Sequence, residues 1–66
     1  MTKKEIIETI KQQRINLDVS QDILANRSGT YKGDISNIEA SKKDITLSKL
    51  ISITNALNLQ VVIIPK

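Results

Sequence analysis

Apolar residues recur along most of the chain at spacings of three and four, the period of helices that bury one face. Over residues 2–16, Ile6, Ile10 and Leu17 mark an inward stripe that Ile7 broadens, while Lys3, Lys4, Glu8, Lys11 and Gln12 fall on the wet face. Thr2 can cap this helix, and Glu5 three positions on completes a capping box. Asn16 to Val19 is a short connection, with Leu17 and Val19 pinning it to the core. A second helix is predicted from about Gln21 to Ser28, with Ser20 as its N-cap and Leu24 and Ala25 inward. Gly29 sits where that helix must end, since Gly tolerates the left-handed backbone. The third helix starts with Thr30 or Tyr31 as N-cap, carries Asp34 in its first turn, and runs to Glu39 or Ala40. Ile35 and Ile38 face inward there, and Lys32, Ser36 and Asn37 face outward. A polar loop, Ser41 to Ile45, exposes Lys42 and Lys43. A fourth helix of about eleven residues follows, capped by Thr46 or Asp44 and ended by Asn58, with Leu47, Leu50, Ile51, Thr54 and Leu57 on one face. Ile53 and Ala56 fall beside that stripe.

The period then changes. Leu59 to Ile64 is rich in β-branched residues and Pro65 stops it, a strand signal over about residues 60–64. A lone strand leaves backbone donors and acceptors unpaired. Either the same strand of a second copy pairs with it antiparallel across a two-fold axis, or the segment is an arm, packed irregularly on its own core or disordered. In the first case Val61, Val62, Ile63 and Ile64 form the dimerisation ribbon, and Ile53, with Ala56, floors the interface.

Residues 20–39 thus read as two short helices around one tight turn: a small residue at Ala25, a turn Gly four positions on, then buried Ile35 and Ile38. That is the logic of a DNA-binding helix-turn-helix. The fold expected is all-α, four helices in one domain over 1–66, with a C-terminal strand paired to a second copy.

The totals change this picture little. Sixty-six residues allow one small domain, which buries only about 60 % of the surface its unfolded chain exposes. Cysteine and histidine are both absent. No disulfide framework is possible, the usual zinc ligands are missing, and an enzyme is not expected, because the acidic residues are scattered singly over helix surfaces. No cofactor or metal is expected. No stretch suits a signal peptide or a membrane span, so a cytoplasmic protein is expected, on the nucleoid when DNA is bound. The net charge of +3 is compatible with a polyanionic partner. With Tyr31 the one aromatic residue, base-stacking single-strand or RNA binding is disfavoured. Arg14 lies one turn beyond Ile10 on the core side. It is either paired, with Glu39 the natural partner, or exposed at a frayed helix end.

The run Arg14, Ile15, Leu17, Val19, Ser20, Gln21, Leu24, Ala25, then Gly29, Ile35-Ser36-x-Ile38-Glu39, and later Leu47, Leu50, Ala56 and Leu57, resembles the lambda-repressor-like, Cro-type (XRE) helix-turn-helix family. The ending resembles the HipB-type antitoxins within it. The resemblance implies that Gln21 clamps a phosphate and braces the recognition helix. It places Lys32, Gly33, Ser36 and Asn37 at base edges, Lys42 and Lys43 on the DNA backbone, and Arg14 with Glu39 as a structural ion pair. Ser41 departs from the Gly usual there, and Gly33 supplies no side chain at a usual base-reading position.

On this reading Lys32 reaches guanine and Asn37 adenine. Tyr31 reaches a phosphate or packs on a thymine methyl, or else serves packing at the helix start. Asp34 turns from the phosphates, accepts from a cytosine, or caps. The function expected is a homodimeric, sequence-specific repressor on an inverted-repeat operator in double-stranded DNA, an autoregulating HipB-type antitoxin with a HipA-like kinase toxin as partner. The alternatives are a protein-interaction module that neutralises a toxin, a phage repressor, and a restriction-modification controller.

Overall fold

A computed structural model describes residues 1–66 as four helices, α1 (Lys3–Asn16), α2 (Gln21–Ser28), α3 (Lys32–Glu39) and α4 (Leu47–Ala56), with no strand. The starts follow local chemistry. At α1 the capping box is complete: Thr2 Oγ1 accepts from the Glu5 N–H at 3.1 Å, and Glu5 Oε1 accepts from the Thr2 N–H at 3.2 Å. Ser20 Oγ accepts from the Ile23 N–H at 3.1 Å, and Thr46 Oγ1 from the Lys49 N–H at 3.2 Å. Tyr31 is the N-cap of α3 and makes no side-chain cap.

All four helices close in one way. Asp18, Gly29, Ser41 and Asn58 each adopt a left-handed backbone, with φ of 57°, 73°, 60° and 58°. The next N–H in each case bonds back five residues: Val19 to Arg14, Thr30 to Ala25, Lys42 to Asn37 and Leu59 to Thr54, at 2.8–3.0 Å. These are Schellman closures, which satisfy carbonyls that a helix end leaves free.

The core is wholly aliphatic: Ile7, Ile10, Val19, Leu24, Ala25, Ile35, Ile38, Ile53 and Leu57. Helix α2 packs on α3 and α4, and α1 on α3, so α3 is held from two sides. Gln13 reaches over from α1 and donates to the Leu57 carbonyl at 3.0 Å, tying α1 to the end of α4.

Two expectations are corrected, and a third, which needs a second copy, is not realised in one chain. The first concerns α4, which is turned relative to the stripe its spacing suggested. It buries Ile53, Thr54 and Leu57, while Leu47 is 69 % and Ile51 45 % exposed. Ile53 is therefore a core residue and no part of a dimer surface. Both stripes have helical spacing, and a helix apolar over more than half its circumference does not declare which side is inward. The Thr54 hydroxyl is compatible with burial because it donates to the Leu50 carbonyl at 2.8 Å. The second concerns Leu17, which is 40 % exposed; Val19 alone pins the α1–α2 connection.

The third concerns the tail. Residues 60–64 form no strand, and beyond the Leu59 N–H no backbone hydrogen bond engages the chain. Leu59 packs on the core. Val61 and Val62 lie along a groove of about 370 Å³ between α1 and α4 that Ile6, Ile10 and Leu50 also line. Ile63 and Ile64 are 94 % and 75 % exposed. β-branched residues favour extended backbone, but a strand exists only against another strand, and a single copy offers no edge. No helix is long and apolar enough to cross a membrane.

Candidate nucleic-acid interface

Helix α3 is short and two-faced. Asp34, Ile35 and Ile38 are buried, at 0–1 % exposure, and fix the helix against α2 and α1. Lys32, Gly33, Ser36 and Asn37 are exposed. Lys32 with Ser36, and Gly33 with Asn37, are four apart and stack in two adjacent rows on the outer surface. A Cβ on Gly33 would lie 3.2 Å from a ring carbon of Tyr31. Gly33 thus gives the Tyr31 ring its seat over the first turn of α3, and what this position offers outward is backbone.

Two polar clusters hold this helix at its ends. The C-terminal one joins Arg14, Gln21 and Glu39. Arg14 donates Nε–H to Glu39 Oε2 at 2.6 Å and Nη2–H to Oε1 at 2.9 Å, a bidentate fork. Arg14 Nη1 reaches the Val19 carbonyl at 2.9 Å, and Gln21 Nε2 donates to Glu39 Oε1 at 3.1 Å. Helices α1, α2 and α3 therefore meet in one carboxylate. The Glu39 hydrogen bond also raises the Arg14 guanidinium further above its ordinary value, against the opposing effect of burial. Gln21 sits where it braces the end of α3 from the first turn of α2.

The N-terminal cluster was not legible in the chain. The Asp34 carboxylate is fully buried. It accepts from Thr30 Oγ1 at 3.0 Å, and from the ammonium groups of Lys43, in the α3–α4 loop, and Lys49, in the first turn of α4. Asp34 is therefore not available to a cytosine amino group. Lys43 is exposed but tethered, its side chain 47 % accessible; Lys49 is 29 % accessible. Lys42, beside them, is exposed and makes no side-chain hydrogen bond. Lys49 is fifteen positions from Asp34, and no local period links such a pair. Elsewhere Lys3 and Asp44 form an exposed ion pair between α1 and the loop, of the kind that contributes little.

The hydrogen bonds from Lys43 and then Lys49 hold the Asp34 carboxyl well below the usual carboxylate range, outweighing burial, which acts the other way; Thr30 adds to the lowering. A depressed carboxylate stabilises the fold above its unfolded value of about 3.9. That contribution is lost as pH falls through and below that value. The urea midpoint should therefore decline as pH is lowered from about 5 towards 2. Asp34→Asn should start lower at neutral pH and decline less; parallel declines in the two proteins would assign the acid sensitivity to other carboxylates.

A four-helix domain whose α3 follows a Gly-closed α2, braced through Arg14, Gln21 and Glu39, has the arrangement of a helix-turn-helix. The chain is 37 % identical over 62 residues to control protein C.SmaI of Serratia marcescens, a match spanning 92 % of this chain and 74 % of that one. The chain belongs to the family of XRE-like helix-turn-helix regulators that includes this control protein. No family model matches it, and no solved structure is significantly similar.

Proposed function

We propose that the protein is a homodimeric, sequence-specific regulator of transcription that binds an inverted-repeat operator in double-stranded DNA with α3 in the major groove. One observation carries this reading: the surface of α3 that the core does not use bears Lys32, Ser36 and Asn37, all exposed, on a helix braced at both ends. Lys32 offers a donor to guanine O6 and N7, and the Asn37 amide matches the donor–acceptor pair of adenine. Gln21, Tyr31, Lys42 and Lys43 flank them towards the phosphates, and no side chain caps the N-terminus of α3, which leaves its first N–H groups for an anion.

Selection of duplexes from a random pool should return an inverted repeat, with half-sites about one helical turn apart if two copies bind one face. Lys32→Ala and Asn37→Ala should each weaken binding to that duplex by about 1–3 kcal/mol per symmetric contact, with helix content unchanged. Unaltered affinity in both variants would remove α3 as the reading element.

Dimerisation is proposed through the tail. Val62, Ile63 and Ile64 are 62–94 % exposed, an apolar end that a partner copy would cover, as a ribbon with the partner's tail. A chain lacking residues 60–66 should sediment as a monomer where the full chain sediments as a dimer. A truncated chain that remains dimeric would place the interface elsewhere. Among the settings open to such a regulator, likeness to a control protein supports a restriction-modification controller. The HipB-type antitoxin reading, with its kinase toxin, rests on the resemblance of the tail alone.

A further inference from the structure

We propose that Asp34 is a positioning residue for DNA-backbone binding, which sets the ammonium groups of Lys43 and Lys49 as a two-pronged phosphate clamp beside the recognition helix. This rests on the reading of α3 as the DNA-contacting helix and adds Lys49 and Asp34 to its machinery.

The cluster is unusual in its balance. One carboxylate, with no exposed surface, serves two ammonium groups from two different elements, the α3–α4 loop and α4. Burying a carboxylate needs partners, but one lysine and the Thr30 hydroxyl would supply them. The second lysine leaves the cluster with one surplus positive charge. Each ammonium has three donors and gives one to Asp34, so two remain on each. Both lysine side chains retain access to solvent, 47 % and 29 %. Asp34 lies in the first turn of α3, so its two lysines are drawn to the end of the helix that Tyr31 and Lys32 flank. A free lysine is a mobile point charge. Tied at its tip, it meets a phosphate without first losing that freedom, and at a fixed offset from the base-reading rows. The carboxylate is thus the one fixed point shared by recognition helix, loop and α4.

The test is the sign of a charge change. Replacing Asp34 with Asn raises the net charge from +3 by one unit. On electrostatics alone it should tighten binding to any duplex. Positioning requires the reverse for the selected operator. The probes are a duplex selected by the wild-type protein from a random pool and a scrambled duplex of equal length. Affinity is measured across a salt series below 15 °C, with far-UV circular dichroism to establish folding. The expected result is that D34N loses about tenfold on the selected duplex and nothing on the scrambled one. Lys49→Gln and Lys43→Gln, which leave Asp34 one lysine and Thr30, should each flatten the slope of log affinity against log salt by about one unit per bound copy. Lys49→Arg should retain the slope. These two glutamine variants decide the matter if D34N does not fold. Equal tightening of D34N on both duplexes, or unchanged slopes in both glutamine variants, overturns the clamp while leaving α3 as the reader. A wild-type protein that selects no duplex overturns the DNA-binding reading itself, and the clamp with it.

Discussion

Glu39→Gln is expected to cost the fold about 3–5 kcal/mol, the loss seen when one partner of a buried ion pair is neutralised. The side chains concerned are 13 % exposed in Arg14 and 4 % in Glu39. The variant keeps the shape of the site but leaves the guanidinium without a counter-charge, and Gln21 with a poorer acceptor. A domain of this size has about 3–10 kcal/mol of total stability at 0.05–0.15 kcal/mol per residue, so much of the variant should be unfolded at 25 °C. Urea denaturation followed by far-UV circular dichroism measures this directly. The paired replacement Arg14→Met with Glu39→Leu should recover most of the loss, because an apolar pair of similar volume removes the desolvation penalty along with the attraction. A Glu39→Gln protein within about 1 kcal/mol of the wild type would mean that the junction of α1, α2 and α3 is held by its aliphatic contacts alone.

Ile53→Ala is expected to cost about 2–5 kcal/mol, the range for a large aliphatic side chain truncated in a packed core. Ile53 is 1 % exposed and belongs to the buried aliphatic cluster. The control is Ile51→Ala on the opposite side of α4, where the side chain is 45 % exposed and the change should be within about 0.5 kcal/mol. The comparison separates core from interface. A core loss is the same at every protein concentration. A loss confined to subunit contact shrinks as concentration rises, and such behaviour in Ile53→Ala would return this residue to a dimer surface.

What the chain made legible was the chemistry that acts over one helical turn. The caps at Thr2 and Ser20, the left-handed ends at Gly29 and Asn58, and the inward pair Ile35 and Ile38 are each decided by neighbours within four or five positions. What was not legible depends on rotation or on distance in sequence. The side of α4 that turns inward is set by how α2 presents its own apolar residues, and Leu47 and Ile53 are equally apolar as letters. Asp34 read as a charge for the helix dipole, because nothing adjacent to it announces two lysines nine and fifteen positions away. The tail read as a strand because β-branched residues favour extended backbone; whether a ladder forms depends on a second chain. Ser41 departs from the Gly usual in the family, yet the loop it closes has the same left-handed turn and return bond as the other three. A non-Gly residue pays roughly 1 kcal/mol there, and the shared Schellman geometry holds it.

The seat of the Tyr31 ring over Gly33 has a consequence for how this protein can be observed. The chain has no tryptophan and no phenylalanine, so its near-ultraviolet absorption and its intrinsic fluorescence come from Tyr31 alone. That ring is 64 % exposed at the head of α3, and the core contains no aromatic group. The emission therefore reports on the surface proposed to meet DNA and carries almost no signal from the packing of the interior. Quenching on titration with a duplex would read occupancy at one residue without any added label. A flat fluorescence trace during thermal melting would be compatible with complete loss of the fold.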